Sequence, residues 1–271
     1  MFEAVFAAVR QKRPLVHAIT NYVTIRDCAN IMLACGGSPI MADAPEEAAG
    51  ITSGCDGLVL NLGMLNETKK EAMCASAAVA AERGKPVVLD PVGVSASPYR
   101  LSFALELLRS MAVSVIRGNA SEIRTLSAGE ALSKGVDAVL KDDWDRQVKM
   151  AKELSLKYSA VTVQTGEIDL VTDGQAVCLI RNGTPVMGRI TGSGCMLSAL
   201  TGVFCAASPE DLFDACSCAA CMIGLAGEAA AGKAERAGEG LGSFGVRLID
   251  EIGRMDETIL NGGMKLEIRS K

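Results

Sequence analysis

The feature that most constrains this chain is the alternation of short apolar runs with longer amphipathic stretches. Apolar runs at residues 14–20, 37–43, 57–63, 85–93, 113–119 and 160–166 are typical of strands. Helical spacing fills the gaps between most of them, near residues 22–34, 45–53, 66–83, 99–110 and 143–158. Strands that alternate with helices of this length predict βαβ units, and therefore an α/β fold with a mainly parallel central sheet.

The rest of the chain continues this pattern and then departs from it. Residues 169–180 predict a hairpin that turns at Asp173-Gly174, and after residue 192 we expect almost only helix. No low-complexity linker divides the 271 residues and no internal repeat is visible. We therefore predict a single domain over residues 1–271.

Composition and charge exclude several classes of protein. The net charge is −5 and no basic stripe is present, so we expect no nucleic-acid partner. The first residues lack the order of a signal peptide, and no uninterrupted apolar stretch approaches the roughly eighteen residues of a membrane span. The run Cys216, Cys218 and Cys221 lies in a helical pattern, with one histidine in the whole chain. We therefore predict that these cysteines are buried, reduced thiols rather than metal ligands. Reduced thiols in turn predict a cytoplasmic protein.

Polar and glycine residues collect where four of the predicted strands end. Because ligands bind at the carboxyl ends of strands in open α/β sheets, these residues predict a shared cleft, although each also suits an ordinary turn. The residues concerned are Asn61 and Gly63, then Asp90, then Arg117 and Asn119, and finally Thr165.

A glycine-rich turn opens the first helix after residue 192. Gly192, Ser193 and Gly194 lead directly into small and apolar residues. Backbone N–H groups at such a helix start bind an anion and stabilise charge that develops on a transferred phosphoryl group. The alternative is that these glycines only permit close packing.

Two other glycine patterns concern nucleotide binding. The chain has no GxxxxGK[ST] sequence, which excludes a P-loop enzyme. Residues 240–245 match GxGxxG but follow a charged helical segment rather than a strand. We therefore predict a loop between two helices there, and no Rossmann site.

The segment from Asn119 to Glu122 has two interpretations. Asn119 with Glu122 three residues later forms a variant of the capping box. Glu122 near Asp90 would instead hold Mg²⁺, which keeps most of its waters and takes one or two carboxylates. The spacing of these residues alone does not distinguish a capping role from a metal-binding role for Glu122.

Seven ordered segments together resemble the ribokinase-like superfamily, and within it the hydroxyethylthiazole kinase family. They are PLVHAITNYVT (14–24), GGSPIMADAPEE (36–47), LNLGML (60–65), LDPVGV (89–94), IRGNASEI (116–123), TVQTGEIDLVTDG (162–174) and ITGSGCMLSAL (190–200). The resemblance implies a three-layer α/β/α sandwich and ATP-dependent, Mg²⁺-assisted phosphorylation of the hydroxyl of 4-methyl-5-(2-hydroxyethyl)thiazole. It also implies a homotrimer with active sites at subunit interfaces.

The resemblance further assigns roles by matching position. Asn21, Met41, Gly63 and Gly192 would face the thiazole. Arg117, Asn119 and Thr165 would contact the nucleotide, and Asp90 and Glu122 would organise Mg²⁺ and phosphates. Gly192, Ser193, Gly194 and Cys195 would form the catalytic turn.

Cys195 stands where much of the superfamily has an aspartate, which agrees with the thiazole kinase pattern. An ordinary thiol has a pKa of about 8.5, and a helix N-terminus lowers it. We therefore expect some thiolate and a modest role in proton removal, with the turn amides and Mg²⁺ contributing most. A nucleophilic Cys195 is the sharper alternative. His17 lies in an apolar strand and is expected to be structural or to line the substrate site.

The residues also bear on three alternative functions. A related kinase of hydroxymethylpyrimidine or a sugar, or a nucleotide-repair dehydratase, would keep the fold, but Cys195 counts against them. A non-catalytic binding protein would keep the pocket, but Asp90, Arg117 and Glu122 count against it. A flavin or nicotinamide oxidoreductase depends on the misplaced GxGxxG.

Overall fold

The computed structural model describes residues 2–130 and 144–269. Its described strands are β1 Leu15–Ile19, β2 Ser38–Ile40, β3 Gly57–Asn61, β4 Val87–Asp90, β5 Val115–Asn119, β6 Val161–Thr165, β7 Asp169–Thr172, β8 Val177–Ile180 and β9 Leu266–Arg269. Its described helices are α1 Glu3–Lys12, α2 Ile25–Cys35, α3 Pro45–Gly54, α4 Glu67–Glu82, α5 Pro98–Ser110, α6 Ala120–Ala128, α7 Trp144–Tyr158, α8 Ser193–Ala207, α9 Leu212–Arg236, α10 Leu241–Arg254 and α11 Glu257–Gly263.

The described strands form one sheet in the order β2-β1-β3-β4-β5-β6-β7-β8-β9. The pairings from β2 through β6 are parallel, and β6-β7, β7-β8 and β8-β9 are antiparallel. The predicted α/β fold with a mainly parallel sheet is therefore confirmed, and so is the hairpin at Asp173-Gly174, where Gly174 has φ +92°.

Alternating side chains of the strands pack into two apolar layers, one on each face. In β3, Val59 joins the cluster under α1, α2, α8, α9 and α10, whereas Leu58 and Leu60 join the cluster under α4 and α5. This is the period of two that a pleated strand imposes. The three-layer α/β/α arrangement follows from it.

One of two predictions about the last third of the chain was wrong. Residues 241–245 are not a loop, because α10 begins at Leu241 and buries Phe244, Leu248 and Ile252 at helical spacing. The prediction of almost only helix after residue 192 is confirmed by α8, α9, α10 and α11, with the exception of β9, which pairs with β8. β9 is short and mostly exposed, so backbone pairing with its neighbour, rather than an apolar pattern, decides its conformation.

Helix α9 bears on two predictions made from composition, namely that its cysteines are buried and that no segment spans a membrane. Cys216, Cys218 and Cys221 are fully buried in it, as predicted. By length and composition α9 is the one described helix apolar enough to cross a membrane, and most of its apolar stretch is buried inside the protein. It packs against α8 and α10.

Candidate active site

The carboxyl ends of the parallel strands bring the predicted residues to one edge. Asn61 of β3 is the register partner of Asp90 of β4, and Asn119 of β5 is the register partner of Thr165 of β6. The N-terminus of α8 reaches the same edge, because the Cys195 Sγ lies 3.3 Å from Asn61 Nδ2. The predicted cleft at this edge is confirmed.

Asp90 is a buried carboxylate with one oxygen left unpaired. Its Oδ2 accepts hydrogen bonds from Asn61 Nδ2 at 2.7 Å and Ser198 Oγ at 2.8 Å, and lies 3.8 Å from Arg117 Nη1. Its Oδ1 is buried and has no partner among the described residues. Burial raises the pKa of Asp90, against the opposing effects of Arg117, Ser198 and Asn61. The arrangement favours a positive ligand at Oδ1.

Glu122 forms the capping box that the sequence predicts. Its Oε2 accepts from Asn119 N at 2.9 Å, and the Asn119 Oδ1 accepts from Glu122 N at 3.0 Å. Its Oε1 accepts from Gly93 N at 3.0 Å. Burial and then the charge of Asp90 raise the pKa of Glu122. The structural interpretation is thus confirmed, while the metal role and a nucleotide contact of Asn119 stay predictions.

The Gly192–Gly194 turn leaves backbone donors free at the start of α8. The first backbone hydrogen bond of the helix runs from Met196 N to Gly192 O at 2.8 Å. The preceding N–H groups, those of Ser193, Gly194 and Cys195, find no acceptor among the described residues. Gly192 is required here, because its φ is +89° and an added Cβ would lie 2.5 Å from Thr24 Cγ2. The turn has the geometry of an anion site.

Arg117 lies directly over this turn. A Cβ added to Gly194 would be 2.6 Å from Arg117 Nη1, so the guanidinium and the backbone are in close contact. Arg117 Nη2 donates to Thr165 Oγ1 at 2.8 Å, and its buried Nε has no partner in the described part of the chain. A fixed cation and free amides therefore converge on one point, which suits a phosphate group.

A cavity of about 840 Å³ opens beside Arg117 and the turn. Its volume is within the range of small-molecule and cofactor pockets. Burial raises the pKa of Asp169, in its wall, to about 6, against the opposing effects of the Gly166 N–H and Arg117. Lining segments come from β5, β6, α8, α9 and the loops after β6 and β8, namely residues 117, 165–169, 181–185, 187–188, 193–194, 197 and 223–224.

Cys195 lies between two asparagine amides on the other side of the turn. Its Sγ is 3.4 Å from Asn21 Nδ2 and 3.3 Å from Asn61 Nδ2. Burial and the charge of Asp90 raise the pKa of the Cys195 thiol despite these donors. The expectation of a lowered pKa and some thiolate is therefore wrong, because burial and the charge of Asp90 outweigh the hydrogen-bond donors around the sulfur.

The predicted substrate residues divide into two groups. Asn21, Gly63 and Gly192 lie near one another: Asn21 contacts the Cys195 sulfur, a Cβ added to Gly63 would lie 2.8 Å from Asn21 Cβ, and one added to Gly192 would meet Thr24. Met41 follows β2, is partly buried and packs against the apolar cluster that contains α8. His17 is structural, since its ring nitrogens bond Thr52 Oγ1 at 2.8 Å and Ala42 O at 2.7 Å.

Three residues of this region have contacts to which the sequence assigned no role. Asn61 holds both Asp90 and Cys195, and Ser198 holds Asp90 from the next turn of α8. Asn61 was expected in the cleft without a role of its own, although it ends a strand as Asp90 does in the neighbouring one. Lys69 is buried beneath the loop that carries Asn21. The sequence does not indicate this, because Lys69 has the pattern of an exposed lysine on an amphipathic helix.

Comparison with known proteins now decides the family. A sequence profile of the hydroxyethylthiazole kinase family matches residues 6–258. The chain belongs to the hydroxyethylthiazole kinase family. It is 43% identical over 264 residues to the hydroxyethylthiazole kinase of Clostridium acetobutylicum, with 96% of each chain covered.

Solved structures agree with this family assignment. The structure of a hydroxyethylthiazole kinase from Pyrococcus horikoshii OT3 matches with a TM-score of 0.88 and 34% identity, covering 99% of both chains. A ribokinase-like superfamily protein from Enterococcus faecalis matches with a TM-score of 0.61 at 13% identity, covering 89% of this chain and 86% of that one. The second match concerns the fold alone, and it confirms the predicted ribokinase-like architecture. Family members are phosphotransferases.

Proposed function

We propose that this protein transfers the γ-phosphoryl group of ATP to the hydroxyl of 4-methyl-5-(2-hydroxyethyl)thiazole, as in the salvage of thiamine. The observation that carries the proposal is the convergence of Arg117 and the free amides of the Gly192–Gly194 turn at the mouth of the 840 Å³ cavity. Membership of the hydroxyethylthiazole kinase family supports the choice of acceptor.

In this proposal the turn separates a nucleotide side from an acceptor side. Arg117 and Thr165 contact the phosphates from the cavity, and Asn119 lies at the same strand end. Asn21, Met41, Gly63 and Gly192 form the acceptor side. The acceptor oxygen attacks the γ-phosphorus as the bond to the ADP oxygen breaks, and the hydroxyl proton is released. The amides of Ser193, Gly194 and Cys195 stabilise the charge on the transferred group.

Cys195 has a modest part in this scheme. Its thiol pKa is raised, so the sulfur is protonated at neutral pH before substrates bind. Phosphoryl transfer depends chiefly on positioning and charge stabilisation, since its transition state is loose. We therefore propose that the Cys195 thiol orients the acceptor hydroxyl, together with Asn21 and Asn61, and that the hydroxyl proton leaves to the transferred phosphoryl group or to water.

The carboxylates fit Mg²⁺. The unpaired, buried Oδ1 of Asp90 and the raised pKa values of Asp90 and Glu122 favour a cation between these groups. No cluster of three or more His, Cys, Asp or Glu suited to a metal occurs in the described residues, but Mg²⁺ needs only one or two carboxylates with phosphate and water. Bound there, Mg²⁺ would neutralise charge on the ATP phosphates.

We further propose a cytoplasmic homotrimer whose subunits each form one domain. The single sheet, with strands between residues 15 and 269, supports one domain. The ten cysteines are all free, which is usual in a reducing compartment. Tyr22, Val23 and Met64 are 54%, 65% and 47% exposed beside Asn21 and Gly63, so apolar surface flanks the acceptor side as a subunit contact would require.

Steady-state ATP consumption by the purified protein with Mg²⁺ tests the function. Hydroxyethylthiazole, hydroxymethylpyrimidine and ribose are supplied in parallel and each product is identified by mass. Phosphorylation of the thiazole alone is the expected result. Turnover of another acceptor would overturn the thiazole assignment while keeping the kinase, and no turnover with any would favour a binding protein. Light scattering at several protein concentrations tests the trimer.

A further inference from the structure

Lys69 is a buried cation that the proposed reaction does not use. It is the third residue of α4, and its side chain is 1% exposed. Burying an ammonium group is costly, and an apolar side chain of similar length fills such a space at a lower cost. Burial lowers the pKa of Lys69, which is the physical sign of that cost. The contacts of the ammonium group indicate what offsets the cost of burying it.

Each contact of the ammonium belongs to one of two loops. Lys69 Nζ donates to Thr20 O at 2.8 Å, in the loop after β1, and lies 3.9 Å from the centre of the Tyr22 ring in the same loop. It is 3.8 Å from Asp43 Oδ2, in the loop after β2. Tyr22 OH donates to the same Asp43 oxygen at 2.6 Å, which closes a ring of contacts between the loops.

These two loops carry the acceptor side of the site. Asn21, which contacts Cys195, follows Thr20 directly, and Met41 precedes Asp43 by two residues. A further hydrogen bond, between His17 Nε2 and Ala42 O, holds the backbone between Met41 and Asp43. The position of Asn21 relative to Met41 therefore depends on the ammonium that joins their loops.

We propose that Lys69 is a positioning residue that fixes the loops of Asn21 and Met41 relative to each other and so sets the affinity for the acceptor. The inference rests on the proposed acceptor site. Lys69 does not touch Arg117, Thr165 or the described cavity wall, so the nucleotide side is independent of it.

The test compares Lys69→Met with Lys70→Met, which makes the same change one residue along the same helix. Lys70 pairs with Glu67 of α4 at 3.2 Å and contacts neither loop, so it is the matched control. In Lys69→Met the KM for the thiazole should rise about tenfold, as loss of a hydrogen bond from a charged donor implies, while the KM for ATP changes less than twofold. Lys70→Met should leave both constants unchanged.

Amide hydrogen exchange gives a readout that needs no turnover. Exchange in residues 20–24 and 41–44 should be faster in Lys69→Met than in Lys70→Met, with the other segments unchanged. If Lys69 were only structural, the melting temperature would fall while the exchange of these loops and the thiazole KM kept their wild-type values. That result would overturn the inference. If the wild type phosphorylates no thiazole, the proposed function fails and the exchange experiment still decides the role of Lys69.

A second variant covers the case in which Lys69→Met does not fold. Asp43→Asn keeps Lys69 and the shape of the loop but removes the charge that faces the ammonium. It should raise the thiazole KM in the same direction by a smaller factor, with the ATP KM unchanged. An equal rise of both KM values, or no change in either, would contradict the proposed coupling of the two loops.

Discussion

Replacing Asn61 with aspartate is the sharpest test of the polar centre of this structure. Asn61 is 1% exposed, and its Nδ2 donates to Asp90 Oδ2 at 2.7 Å. In Asn61→Asp that donor becomes a second carboxylate oxygen at hydrogen-bond distance from the first. Two buried carboxylates this close cannot both ionise, so the pair retains a proton that each would release in the unfolded chain.

The magnitude follows from the proton that the folded variant must keep. An ordinary aspartate in the unfolded chain has a pKa of about 3.9, and holding its proton at pH 7 costs at most about 4 kcal/mol, at about 1.4 kcal/mol per pH unit. Between pH 4 and 7 the folded variant binds one proton more than the unfolded chain. Its stability relative to wild type should therefore fall as pH rises and recover as pH is lowered.

The assay is urea unfolding followed by circular dichroism at pH 5, 6, 7 and 8. Asn66→Asp is the matched control, because Asn66 caps α4 by accepting from Lys69 N at 2.8 Å and aspartate caps a helix equally well. The control should stay within about 0.5 kcal/mol of wild type at every pH. Equal stability of Asn61→Asp and wild type at pH 7, with parallel pH dependence, would refute the described contact between Asn61 and Asp90.

Three further predictions concern Cys195, Asp169 and α8. Cys195→Ala should lower kcat about 10- to 100-fold in steady-state assays, and a loss beyond roughly 10⁴-fold would contradict its modest role. Burial raises the pKa of Asp169 to about 6, so above pH 6 the folded protein holds this carboxylate ionised at a cost in stability. Asp169→Asn should therefore raise the melting temperature above pH 6, and the gain should shrink from pH 6 to 4. A gain in melting temperature that grows on acidification would contradict this. Gly202→Ala should cost about 1–3 kcal/mol in urea unfolding, since its Cβ would lie 2.3 Å from Val59 Cγ2. Gly242→Ala, where nothing lies within 4 Å of the added Cβ, should be neutral or slightly stabilising, and equal losses in the two would refute the packing argument.

Much of the fold was predictable because its signals are local. The parallel strands are apolar runs bounded by helical spacing, and the predicted positions agree with β1 and β3–β6 to within a few residues. The glycine-rich start of α8 and the capping box at Asn119 are also local patterns, because each involves residues within one helical turn.

The acidity of Cys195 shows where local reasoning fails. Its position at a helix start predicts a lowered pKa, whereas its surroundings raise the pKa. Burial and the charge of Asp90 oppose the lowering, and Asp90 lies more than a hundred positions away in the chain. A local pattern cannot report them, because desolvation depends on what packs around the sulfur.

The sequence by itself determined the sheet, its helical layers and the strand ends at which the site lies, since periodicity and glycine placement are properties of neighbouring residues. Only the tertiary structure decided how the side chains at those ends pair. It joined Asn61 to Asp90 and Cys195, placed Arg117 over Gly194, and buried Lys69 beneath the loop of Asn21. The physical reason is that hydrogen bonds and desolvation act over a few ångströms in space, whereas the sequence orders these residues along the chain.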